Sequence, residues 1–244
     1  MKKKEAITFL AVRTLGNFLL LFSLYGVAAT FGPAVMEEAQ YYLAQIRGIE
    51  YKVVAKHSSS TLVDDTRISE PVPSETPARA GFAEIIAGNK EQILLPPDTT
   101  FSMVIPKIGA STKIFPNIDP GDPNAFLPVL QQGIAHAKGT VFPGMKGNVY
   151  LFAHSADNWW NVGRYNAVFY LLKNLEHGDQ ITIFFENRRY EYAVSEKKIV
   201  PATDVSLIAS DHSGPNRLIL QTCWPPGTTW ERLFVIAELS GTTN

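Results

Sequence analysis

The sequence predicts a mostly β domain, an antiparallel barrel or sandwich of seven or eight strands with short helices, preceded by a transmembrane helix and a disordered spacer. Three observations lead there. Short apolar or alternating runs separated by turn residues fill the chain from about Ile93 to Leu239, the spacing of an all-β domain. A run of 23 residues from Thr14 to Met36 carries no charge. Between the two lies a stretch rich in Pro, Ser and Thr, His57 to Ala80, too polar to offset its ordering entropy.

Taken in order, residues 1–13 form a basic tail with Lys2, Lys3, Lys4 and Arg13. At 1.5 Å per residue, the uncharged span 14–36 is about 34 Å long, enough to cross a hydrocarbon core of roughly 30 Å. Glu37 and Glu38 follow it directly. The positive-inside bias therefore places the amino terminus in the cytoplasm and the rest outside. Ala28 and Ala29 would suit a cleaved signal peptide, but the length of the span favours a retained anchor. Residues 37–92 read as a juxtamembrane segment and spacer. Tyr41, Tyr42, Leu43, Ile46 and Ile49 suggest an amphipathic continuation that Gly48 weakens. Phe82, Ile85 and Ile86 have the spacing of one short helix.

In residues 93–244, strands are expected over Phe101–Ile108, Thr112–Phe115, Asn148–His154, Gln180–Glu186, Arg189–Val200, Arg217–Cys223 and Arg232–Leu239. Asn124–Gln131 and Asn166–Leu175 read as helices, and Arg188 and Arg189 as a tight hairpin between paired strands. Pro225 and Pro226 cannot donate to a ladder, so the strand carrying Cys223 should stop at about that residue. The chain returns nine residues later at Arg232. An antiparallel partner starting there sets Arg232 beside Cys223, whereas Arg217 lies about 20 Å away at roughly 3.3 Å per residue. Asn148–His154 is likewise an apolar strand ending in a histidine, so imidazole and thiol could meet on one rim.

Composition narrows the function. The 244 residues hold 22 Lys and Arg against 23 Asp and Glu, which leaves no basic footprint for nucleic acid. Cys223 is the sole cysteine, so the chain has no internal disulfide and no cysteine-built zinc site. A thiolate nucleophile is helped by a neighbouring cation. A histidine beside it can protonate a leaving amine and deprotonate an incoming one, and an arginine supplies donors for an oxyanion.

Leu220, Gln221, Thr222 and Cys223, followed by Trp224, Pro225 and Arg232, resemble the TLxTC motif and downstream arginine of sortases, the membrane-anchored cysteine transpeptidases of bacterial surfaces. Gly133-Ile134-Ala135-His136, Gly139-Thr140, Pro143-Gly144, Gly147-Asn148 and Ala153-His154 resemble that family's run into its catalytic histidine, and Phe169, Leu172, Leu175, Gly178 and Asp179 the segment after it. Ile219 replaces the motif's first Thr, and Ala153 the Gly before the histidine. The resemblance implies a closed sortase-like barrel in which Cys223, His154 and Arg232 are catalytic. Thr222 would support the substrate or the Cys223 backbone, and His136 would line the groove. It further implies attack on an LPxTG-like sorting signal of secreted surface proteins through a thioacyl enzyme. Transfer would go to an amine such as a peptidoglycan precursor or a pilin lysine. No cofactor is implied, and a calcium site assembled only by the folded barrel stays open.

Two other readings compete. One is a membrane-anchored Cys-His peptidase in which Asp157 orients His154. The other is a non-catalytic β-barrel surface module with an incidental cysteine. Trp159 and Trp160 offer either a partner surface or loop packing.

Overall fold

A computed structural model describes residues 3–54, 91–155, 169–208 and 214–243. Helix α1, Lys3–Arg47, is 45 residues long. Its window Ile7–Ala29 is long and apolar enough to cross a membrane, starting seven residues before the uncharged run because Ile7, Phe9, Leu10 and Val12 outweigh Arg13. The helix continues past Glu37 and Glu38 and ends where the sequence suggested. Gly48 turns left-handed at φ 63, with Gly48 N–H on the Gln45 carbonyl and Ile49 N–H on that of Ala44, a Schellman cap.

Beyond the cap, β1 (Glu50–Val53) pairs in parallel with β2 (Glu91–Leu94), so the two ends of the segment assigned to the spacer are structured and joined. The stretch 57–80 and the Phe82, Ile85 and Ile86 pattern lie outside the described residues.

The eight strands that follow close into a barrel. In chain order they are β3 (Phe101–Ile105), β4 (Ala110–Ile118), β5 (Ile134–Ala137), β6 (Asn148–Phe152), β7 (Gln180–Phe185), β8 (Arg188–Pro201), β9 (Arg217–Trp224) and β10 (Glu231–Thr243). Around the barrel the order is β10-β8-β7-β3-β4-β5-β6-β9. Two neighbouring pairs, β4–β5 and β6–β9, are parallel, and the others antiparallel. Closure removes exposed strand edges, which decides for a barrel over a sandwich.

Several boundaries moved for identifiable reasons. Strand β5 escapes a search for alternation because all four of its residues are buried, as expected of a strand covered on both faces. Pro106–Ile108 forms a 3-10 turn instead of prolonging β3, since Gly109 at φ 63 reverses the chain there. The β7–β8 turn is Glu186-Asn187, at φ 50 and 62, two residues before Arg188 and Arg189, which pair with Phe185 and Phe184. A two-residue hairpin needs positive φ at both centres, which Asn tolerates.

Helix α2, Pro123–Leu130, starts at Asp122, whose carboxylate accepts the Asn124 N–H at 3.0 Å, an N-cap with proline in the first turn. The second expected helix is only a 3-10 turn, Tyr170–Asn174, and residues 166–168 lie outside the described residues. Lys173 on this turn meets Glu38 of α1 at 2.8 Å, both about three-quarters buried, so the helix that carries the apolar span also contacts the barrel.

The barrel has two apolar layers. Inside are Met103, Ile105, Val149, Leu151, Leu218, Leu220, Leu233 and Val235, among others. Outside, Ala135, Tyr150, Phe152, Ile219 and Phe234 form a second cluster with Leu130, packed by Phe126 and Val129 of α2 and by Leu207 and Ile208 after β8. The second cluster matters for function, because it lies on the outer face of the strands that carry the candidate site.

Candidate active site

Side chains alternate between the two faces of a strand. On β9, Leu218 and Leu220 enter the inner cluster and Ile219 the outer one, so Gln221 and Cys223 continue the outer face. The same count on β6 puts Tyr150 and Phe152 outside, with His154 next in that series. On β10, Phe234 is outside, and Arg232 two residues earlier shares that face.

Register then brings the three groups together. Arg232 pairs directly with Cys223 in the antiparallel β9–β10 ladder. Across the parallel β6–β9 ladder, Phe152 pairs with Gln221. Two residues further along both chains, His154 comes level with Cys223. Neighbouring strands are about 4.8 Å apart, so Cys223 sits on the central strand with a histidine on one side and an arginine on the other. Its thiol is free and half-buried. Arg232 is where its spacing from the cysteine predicted, while Arg217 lies at the far end of β9 and faces Glu238 at 3.9 Å.

Beyond the end of β6 the chain is pinned to β9. The Ala153 N–H donates to the Gln221 carbonyl at 3.2 Å. The Thr222 hydroxyl donates to the Ala153 carbonyl at 3.0 Å. Thr222 is 1% exposed and lies on the inner face, opposite Cys223, so it does not touch a ligand on the outer face. Its place is structural, holding the residue before His154.

Arg232 is held from its own turn, its Nη1 donating to the Thr229 and Glu231 carbonyls at 3.1 and 3.0 Å. Among the described residues these bonds leave its Nε and Nη2 donors unengaged.

His136 is not in the groove. It is fully buried on the inner face, stacked on Phe142 at 4.5 Å and near Phe101 at 5.8 Å. Its Nδ1 accepts the Asn117 N–H at 3.3 Å, so the proton belongs on Nε2, which lies 3.0 Å from the Val141 carbonyl. Burial holds its pKa below the usual imidazole value, against a smaller rise from the Val141 hydrogen bond. A four-residue strand with no alternation gave no sign of which face His136 took.

The sequence reading passed over Tyr150 and Gln221. The Tyr150 hydroxyl donates to Gln221 Oε1 at 2.5 Å directly below Cys223. The available signal was one amide directly after the apolar run Leu218-Ile219-Leu220, two residues before the cysteine. Asp157, Trp159 and Trp160 lie outside the described residues. Among the described residues, no group of three or more His, Cys, Asp or Glu is placed to hold a metal ion.

A family model described as a sortase domain matches residues 103–240, more than half of the chain. Sortase D of Bacillus subtilis (strain 168) is 26% identical over 183 residues, covering 71% of this chain and 83% of that protein. Among solved structures, a Clostridium perfringens Sortase D5 transpeptidase is 26% identical over 59% of this chain and 80% of that chain, at a TM-score of 0.47. Sortase C1 of GBS Pilus Island 1 is 22% identical over 58% of this chain at a TM-score of 0.49, and the match spans 64% of that chain, just under two thirds.

Two predictions follow from the buried groups. Since the folded state holds the His136 pKa low and the unfolded chain titrates near about 6.5, the unfolded state gains a proton first as pH falls. The folded protein should therefore lose stability below about pH 6.5. Urea unfolding of the full-length protein in detergent, run against pH, should show this loss, and His136→Gln should have a flatter profile. Thr222→Val deletes the donor to the Ala153 carbonyl and should lower stability by about 1–3 kcal/mol, while Thr222→Ser should retain most of it. An unchanged unfolding midpoint in the valine variant would remove the hydroxyl from this role.

Proposed function

The chain belongs to the sortase family, and from that premise we propose that it is a membrane-anchored cysteine transpeptidase joining a surface protein to an amine. The observation that supports this is the placement of His154 and Arg232 on either side of Cys223, on one face and at one level of the barrel wall. We assign catalytic roles to all three.

In the reaction proposed, the Cys223 thiolate attacks a backbone carbonyl of an LPxTG-like sorting signal, forming a C–S bond and an oxyanion. Arg232 offers fixed charge and planar donors to that oxygen. When the oxyanion collapses the C–N bond breaks, and protonated His154 gives its proton to the departing amine. An incoming amine then attacks the thioacyl carbonyl and loses its proton to His154. Formation of the new C–N bond releases the thiolate. The steps use no metal or cofactor. The acceptor would be a peptidoglycan precursor or a pilin lysine.

The basic residues before the apolar span and the acidic ones after it support a cytoplasmic amino terminus, with the barrel outside the membrane. The contact between Lys173 and Glu38 would keep the barrel close to the membrane surface.

The test is incubation of the full-length protein in detergent with sorting-signal peptides and candidate amines, with products identified by mass spectrometry. Wild type should cleave and ligate, and Cys223→Ala should do neither. Turnover surviving in Cys223→Ala would overturn the assignment, as would peptide binding by wild type with no turnover, the behaviour of a non-catalytic module. Arg232→Lys should lose about 100-fold or more in kcat, the scale of a removed oxyanion donor. Arg217→Ala should stay within about threefold, since its exposed ion pair contributes little.

A further inference from the structure

Gln221 follows the apolar run Leu218-Ile219-Leu220 in its strand, and it stands on the outer face two residues before Cys223. Its neighbours on that wall are Ile219, Tyr150, Phe152 and Phe234, and of these only the Tyr150 hydroxyl needs a hydrogen-bond acceptor, which the Gln221 amide oxygen supplies. That accounts for the amide oxygen but not for the two N–H donors of the same group, whose burial carries a cost unless they too find a partner.

The amide is held in one orientation. Tyr150 is 1% exposed, and burial raises its pKa, more than nearby Arg232 lowers it. The hydroxyl therefore keeps its proton, and its hydrogen bond goes to Gln221 Oε1. With the oxygen occupied by a donor, the Nε2 group is the free end. It has two N–H donors and no partner among the described residues, and Gln221 is only partly buried. The donors thus sit on the outer face of the barrel wall about 7 Å from the thiol, two residues at roughly 3.3–3.4 Å each.

We propose that Gln221, oriented by Tyr150, is a specificity-determining residue. Its amide N–H groups bind a hydrogen-bond acceptor of the sorting peptide about two residues upstream of the attacked carbonyl. This rests on the sortase reading above. An extended peptide along this wall advances about 3.3 Å per residue, so an acceptor two residues from the reacting carbon falls opposite Gln221. The acceptor is a carbonyl or carboxylate oxygen, either of the peptide's main chain there or of the side chain at the neighbouring variable position of the motif. Tyr150 is a positioning residue, since it acts through Gln221 and does not reach the substrate.

The experiment measures kcat and KM of the full-length protein in detergent against a set of sorting peptides varied at that position, from acidic and amide side chains to alanine and leucine. Gln221→Leu should raise KM about three- to tenfold, the scale of one neutral hydrogen bond, with kcat little changed. Tyr150→Phe should raise KM in the same direction by a smaller factor. A uniform rise across the set identifies the main-chain oxygen as the acceptor, and a rise confined to peptides with a side-chain oxygen identifies the side chain. Either supports the proposal. An unchanged KM for every peptide in Gln221→Leu, with wild type turning over normally, overturns the proposal and leaves the sortase reading intact. Failure of wild type to turn over any peptide overturns both.

Discussion

The parallel pairing of β6 with β9 is the constraint on which the rest of the site depends. These strands are far apart in sequence, and a parallel pair cannot be made by a tight turn. The chain between them has to travel through β7 and β8 and return. Once formed, the pairing is carried past the end of β6 by two hydrogen bonds on Ala153, one to the Gln221 carbonyl and one from the Thr222 hydroxyl. These bonds bring His154 level with Cys223. A slip of one residue would move Cys223 to the inner face and Thr222 to the outer face, because faces alternate along a strand.

The closed barrel supplies the second requirement, two distinct apolar layers. Its interior is filled by one set of side chains, so a ligand cannot enter there. The outer wall along β5, β6, β9 and β10 is also apolar. Helix α2 and the 201–208 segment pack against that wall. The polar groups on it, Gln221, Cys223, His154 and Arg232, are each half-buried beside those apolar side chains. In such a setting, fixed donors and charges act more strongly than in bulk solvent.

Individual residues show how much of this could be read beforehand. The nine-residue interval from Cys223 to Arg232 is short enough to demand an antiparallel return, so their pairing was legible. A local signal also marked the helix end at Gly48, and α2 begins one residue before its expected start at Asn124. Nothing in the sequence marked His136 as buried, since it sits on a four-residue strand whose residues are all buried. Hydrophobic pattern cannot tell inside from outside there. The Glu186-Asn187 turn was expected two residues later, at Arg188 and Arg189, although it is Glu186 and Asn187 that adopt positive φ.

Local chemistry written along the chain determines the apolar helix, the β-rich domain, the single thiol and its neighbouring arginine, because each depends on composition or on a short interval. The partnership of His154 with Cys223, the burial of His136, and the hydrogen bond that orients Gln221 from Tyr150 come only from tertiary structure. Each joins strands distant in the sequence, and the face that a residue presents depends on the register of a partner strand that no local pattern encodes.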